Sequence, residues 1–173
     1  MIIKEYKGLK PEINGGWLAE DVSVIGDVKI GENASIWYGC VLRGDVDQIV
    51  IGANTSIQDN SVAHCATGIP TIIGDNCVVG HNAIIHSCTV EENCLIGMGA
   101  VLLDGCHIGE GSIVAAGAVV SPNKVIPPHS MVMGVPGRVV RQTTEQDIEG
   151  TKLSVKHYLH YADGQLEQVY TDR

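Results

Sequence analysis

From Leu18 onward an aliphatic residue returns at every sixth position along most of the chain. The series runs Leu18, Val24, Ile30, Ile36, Leu42, then Ile51, Ile57, Ala63, then Ile73, Val79, Ile85, then Val90, Ile96, Leu102, Ile108, Val114, Val120, Ile126 and Val132, nineteen units in all. Glycine often follows the aliphatic residue, as at Gly31, Gly52, Gly74, Gly80, Gly97 and Gly109, and a small residue stands four places after it, as at Ala34, Cys40, Ser61, Cys77, Ala83 and Ala118. A period of six matches neither an amphipathic helix nor a simple alternating strand. It suits a short strand and a corner, repeated, with the aliphatic side chain facing a narrow interior.

The pattern fades at both ends. Residues 1–16 carry Lys4, Lys7, Lys10, Pro11 and the pair Gly15-Gly16, and are expected to form a strand or arm covering the first coil. Residues 17–138 form the repeat domain, and Pro127-Pro128, Pro136 and Gly137 mark its exit. Within 139–173, Thr143 or Thr144 is an N-cap candidate, and Ile148, Leu153, Val155, Tyr158 and Leu159 predict a helix reaching about Tyr161, weakened by Gly150.

Composition agrees with a tightly wound interior. Phenylalanine is absent and glycine numbers 21, so Val, Ile, Leu and Ala must fill the core against closely spaced backbone. A length of 173 residues suits one body and an appendage. The net charge of −9 argues against a nucleic-acid or anionic-membrane partner, which would need a basic footprint. Residues 1–7 contain no apolar leader, and no apolar run approaches the length of a membrane span. The expectation is a cytoplasmic protein without membrane or nucleic-acid partners. The six cysteines suggest no disulfide framework; Cys40, Cys77, Cys94 and Cys106 read as core filler in a reducing compartment, and Cys77 with Cys94, like Cys88 with Cys106, stack one coil apart.

The repeat resembles that of the hexapeptide-repeat proteins. The resemblance implies a mainly β fold, a left-handed parallel β-helix of triangular section with three hexads to a coil, here about six coils, followed by a C-terminal α-helix. Handedness comes from the resemblance alone, since it opposes the usual right-handed crossover. Three residues are inserted between Leu42 and Ile51, four between Ala63 and Ile73, and one is lost between Ile85 and Val90. These breaks recur every third unit, so they lie on one flank, above one another. The residues that follow the aliphatic position in those units are Arg43, His64 and His86, which therefore form a column, with the two histidines about 5 Å apart at the backbone. His81 lies on the adjoining flank, above Asp59, and five extended residues place it roughly 15 Å from His86. Three imidazoles and one open position are a common catalytic metal set, but here a second chain must bring His81. A contact of that kind closes into a ring, favouring a symmetric trimer.

Arg43-Gly44-Asp45, Gln58-Asp59, His64 and the spacing from His81 to His86 resemble the γ-class carbonic anhydrases, in particular their compact bacterial branch. The resemblance implies a homotrimer with zinc, alternatively iron or cobalt, held at subunit interfaces by His64, His81 and His86. It implies inter-subunit and substrate-side contacts for Arg43 and Asp45, a hydrogen bond from Gln58 to metal-bound solvent, and a site role for Asp59. Arg43 and Asp45 are also readable as an interface ion pair alone, and Cys65 as an added soft ligand. The expected reaction is hydration of CO₂ to bicarbonate, since a divalent metal on three imidazoles lowers the pKa of bound water to about 7. The sequence departs from the active pattern in 65–70, which carries no acid, and at Val46, where the family has a second glutamate; Ser56 replaces an asparagine, and Asp47 is displaced by one place. Slow turnover limited by proton transfer is expected. Rival readings are a metal-dependent acyl-CoA thioesterase, a hexapeptide acyltransferase, or a metal-bearing trimeric scaffold without activity.

Overall fold

The computed structural model describes residues 1–162 and Gly164; the end of the expected C-terminal tail, at 165–173, lies outside the described residues. The chain winds as a left-handed parallel β-helix with a single α-helix at its end. On the first flank Ile2–Lys4 pairs with the start of Ser23–Ile30, which pairs with the start of Val41–Ile51, followed by Val62–His64, Ile84–His86, Val101–Leu102 and Val119–Val120. The second flank carries Glu12–Ile13, the far halves of the two long strands, Thr71–Ile73, Thr89–Val90, His107–Ile108 and Val125–Ile126. On the third, Trp17–Leu18 begins a ladder that ends at Ser130–Met133, to which Arg138–Gln142 adds antiparallel.

The turns number about seven, one more than the hexads indicate. The extra one is built from the N-terminal segment, whose two short strands pair in parallel with Ser23–Ile30. The expectation there was a strand or arm; the segment's strands continue two flank ladders by one more layer. It escaped the count because backbone pairing continues there after the aliphatic period has stopped.

Every aliphatic residue of the repeat except Leu18 is at most 1% exposed, and Leu18 packs against the same cluster. The side chains fill the prism, where replacing one by alanine would remove about 2–5 kcal/mol. The corners follow an equally regular rule. The residue three places after the aliphatic one has positive φ at Asn33, Gly39, Asn54, Asn60, Asn76, Asn82, Asn93, Gly99, Gly105, Gly111, Gly117, Asn123 and His129. Glycine and asparagine are the residues that enter this region most readily. The glycine following the aliphatic residue has another reason: at Gly97 a Cβ would run into the backbone of Ala115 and Ala116 in the coil above.

Glu145–Ala162 forms the helix, with Thr144, one of the two N-cap candidates, immediately before it. Thr144 Oγ1 accepts a hydrogen bond from the Asp147 amide while the Asp147 carboxylate accepts from the Thr144 amide, a reciprocal cap. The helix lies on the third flank, where Thr151 and Val155 are buried and the Tyr158 ring meets Trp37 edge-on at 5.5 Å. Among the described residues no helix is long and apolar enough to cross a membrane.

Candidate metal centre

Arg43, His64 and His86 are in direct register on three successive strands of the first flank. Ala63 and Ile85, one residue earlier, point into the core at 1% exposure, so strand alternation turns the two histidines outward. Their side chains stay only 20% and 30% exposed. His64 Nδ1 faces His86 Nε2 at 3.1 Å.

The opposite nitrogen of each ring meets a carboxylate. His64 Nε2 lies 3.1 Å from Asp45 Oδ1, and His86 Nδ1 lies 2.6 Å from Asp104 Oδ1. Against an ionised carboxylate, each of those nitrogens carries the hydrogen. The two nitrogens that face each other are then both bare acceptors. Two acceptors facing at 3.1 Å can share a proton or a metal ion, and the separation is close to the roughly 3.3 Å between two nitrogens on a tetrahedral zinc with bonds of about 2.0–2.1 Å. The donor set fits a divalent metal.

Arg43 completes the row by donating from Nη1 to Asp45 Oδ2 at 2.6 Å. Burial pushes the Asp45 carboxyl up, but hydrogen bonds from Arg43 and His64 outweigh it and hold the group below the usual carboxylate range. Asp45 occupies the place where a regular corner would have Asn or Gly. The chain does not turn there: Val41–Ile51 continues as one strand, which carries Asp45 two residues beyond Arg43 on the same side.

His81, Asp59 and Gln58 form a second group at the edge of the third flank. His81 Nδ1 lies 2.8 Å from Asp59 Oδ2, leaving Nε2 as the open nitrogen. Gln58 is buried and shares a cleft of about 200 Å³ with Val78, Gly80, Met98, Ser154 and Tyr158. The Tyr158 hydroxyl is pushed above its ordinary range by burial, helped by the charge of Asp59. Among the described residues of one chain, no three His, Cys, Asp or Glu side chains converge well enough to hold a metal. The structure thus brings the seven candidate residues together as two clusters, Arg43, Asp45, His64 and His86 in one and Gln58, Asp59 and His81 in the other.

Cys65 does not join either. It is fully buried, donating from Sγ to the Asp47 carbonyl at 2.8 Å, and burial raises its pKa. All six cysteines are buried and unbridged. His107 pairs with Glu91 at 2.7 Å, and His129 is a corner residue. Asp104 was not among the expected site residues. Strand pairing sets Leu102 opposite Ile85, and Asp104 follows two places later, in the coil next to His86.

A β-helix with paired imidazoles on its flank defines a class, the hexapeptide-repeat proteins, and residues 87–122 match the family described as "Bacterial transferase hexapeptide (six repeats)". Within it the chain is 49% identical over 146 residues to a protein of Methanocaldococcus jannaschii named "Probable carbonic anhydrase", covering 84% of this chain and 92% of that one. It is 45% identical over 159 residues to the "Carbonic anhydrase" of Geobacillus kaustophilus, covering 91% and 87%. The crystal structure of a hexapeptide transferase family protein from Anaplasma phagocytophilum superposes with a TM-score of 0.91 at 38% identity, covering 94% and 97%. The chain belongs to the γ-carbonic-anhydrase-like family, an enzyme family built on the hexapeptide repeat.

Proposed function

We propose that the protein is a metal-dependent enzyme that hydrates CO₂ reversibly to bicarbonate, working as a homotrimer whose sites each take His64 and His86 from one protomer and His81 from the next. The observation that carries this reading is the pair of imidazole nitrogens facing each other at 3.1 Å, each ring with a carboxylate against its other nitrogen. The lack of a third ligand within reach among the described residues of one chain supports a shared site. When bound, a divalent metal on three imidazoles makes solvent acidic near pH 7 and so supplies the nucleophile for CO₂. Zinc, iron or cobalt would each suit three imidazoles.

The protein's own residues have separate tasks. Asp45 and Asp59 hold His64 and His81 in the tautomers that leave one nitrogen free. Arg43 balances the charge of Asp45 and offers its remaining donors to an anionic product. Gln58, buried in the lining of the cleft it shares with Tyr158, is the residue assigned to orient the attacking solvent. The segment 65–70 offers no carboxylate, so the proton released in each cycle passes to buffer.

The likeness to the Anaplasma transferase family protein, and to a Bacillus cereus protein described as a "putative acetyltransferase", favours acyl transfer as the second reading. The longest break in the repeat is four residues, too short for the looped excursion that carries a catalytic histidine in the acyltransferases the repeat resembles. Metal content, CO₂ hydration and acyl-CoA turnover measured on one preparation separate the readings. Hydration that disappears on metal removal and returns on reloading is expected. Acyl-CoA turnover without hydration would replace the proposal, and bound metal with neither activity would leave a scaffold.

A further inference from the structure

We infer that Asp104 is a positioning residue for the metal, acting through His86. The inference rests on the reading of His86 as a ligand and adds to it a carboxylate that the repeat itself does not single out. Its distance to His86 Nδ1, 2.6 Å, is the shortest of the three between the site histidines and their carboxylates, against 2.8 Å for His81 and 3.1 Å for His64.

Three features give the pair a purpose. With the hydrogen held on Nδ1, His86 must present Nε2, and this is the nitrogen that faces His64. A carboxylate behind a ligating imidazole also increases the electron density on the ligating nitrogen and strengthens its hold on a cation. Finally, Asp104 is carried by a regular corner: the Gly105 amide donates to the Ser87 carbonyl at 2.6 Å, and Gly105 has the positive φ of the standard turn. Asp45 sits where that corner is missing, so the two histidines are steadied from different coils.

A purely structural role leaves the arrangement unexplained. The Asp104 side chain is 46% exposed, and among the described residues its carboxylate has no partner except His86. The pair His107 and Glu91 supplies an internal control. Its 2.7 Å distance is similar, but no second imidazole faces His107, and Glu91 also accepts from the Glu110 amide, as a structural brace does.

The test compares the full-length wild type with Asp104→Ala, Asp104→Asn and Glu91→Ala. Zinc affinity is measured by competition with a chromophoric chelator, and the His86 ring tautomer by ¹⁵N NMR on stripped protein. Asp104→Ala should weaken zinc binding about 10–100-fold and move the His86 hydrogen from Nδ1 toward Nε2. Asp104→Asn keeps an acceptor, so it should retain Nδ1–H and recover part of the affinity. Glu91→Ala should bind zinc as the wild type does, and the melting midpoint of the stripped Asp104 variants should not move. Unchanged zinc affinity and an unchanged tautomer in Asp104→Ala would overturn the inference while leaving the metal site standing. A wild type that binds no zinc, iron or cobalt would instead overturn the metal site itself.

Discussion

The prism has two kinds of corner, and the chemistry gathers at one of them. At thirteen corners the chain turns on an Asn, a Gly or His129 with positive φ three places after the aliphatic residue. After the first flank, in the coils that carry Val24, Leu42, Ala63 and Ile85, that turn is replaced, lengthened or shortened. A regular corner keeps every side chain on the lattice, where outward residues stack in identical columns. An irregular corner lets Asp45 run on past Arg43 and reach a histidine one coil away. The repeat supplies a rigid ladder, and its defects supply the convergence that a site needs.

Neighbouring residues sharpen this contrast most. Ile85→Ala should remove about 2–5 kcal/mol of stability in metal-free protein, because it empties part of a core with nowhere to collapse. His86→Ala, one residue on, should change metal-free stability by less than about 1 kcal/mol yet abolish metal binding. Denaturant titration in chelator, followed by metal analysis, checks both; equal destabilisation would erase the distinction between the two faces of the strand.

A smaller effect concerns the irregular corner itself. Val46 is 45% exposed directly after Asp45, where a proton-accepting side chain could serve the site. Val46→Glu should raise the maximal hydration rate in dilute buffer about tenfold and leave kcat/KM unchanged, as should added imidazole acting on the wild type. Stopped-flow hydration across buffer concentrations reads this directly. A wild-type rate that is already fast and indifferent to buffer would assign the proton to another group, such as Asp47 or Tyr158.

The smallest effect is at acid pH. Asp45 is held below the usual carboxylate range in the folded chain, so its contribution is present above the unfolded value of about 3.9 and is lost as pH falls through the lower folded value. In metal-free Asp45→Asn, stability should therefore fall less steeply between about pH 4 and pH 2 than in the wild type. Thermal melts over that window should show the two curves drawing together toward the acid end.

Much of this was open to counting. The aliphatic period placed the core, and the spacing of its three breaks aligned Arg43, His64 and His86 before any coordinates. His81 was set apart from them by the same count. The hand of the coil was not in the residues, because hexads wind equally well on paper in either sense. The first coil was hidden because Lys4, Lys7, Lys10 and Pro11 occupy a stretch held by backbone pairing rather than by side-chain burial. The Asn and Gly at the corners were visible throughout; attention to the small residue one place later concealed their role. Asp104 lies past the end of the paired strand, at a regular corner, so the column of Arg43, His64 and His86 does not include it.

The account depends most on one site being shared by two chains. His81→Ala and His64→Ala chains, each purified, are unfolded, mixed in equal amounts, refolded and assayed for bound zinc per chain. Each homogeneous variant should hold almost none. In the mixture, an interface with His64 and His86 from the His81→Ala chain and His81 from the His64→Ala chain is complete, so random reassortment around a three-fold ring should restore about one site in four. A mixture that binds no more zinc than its components, or a single variant that binds as well as the wild type, would contradict the shared site.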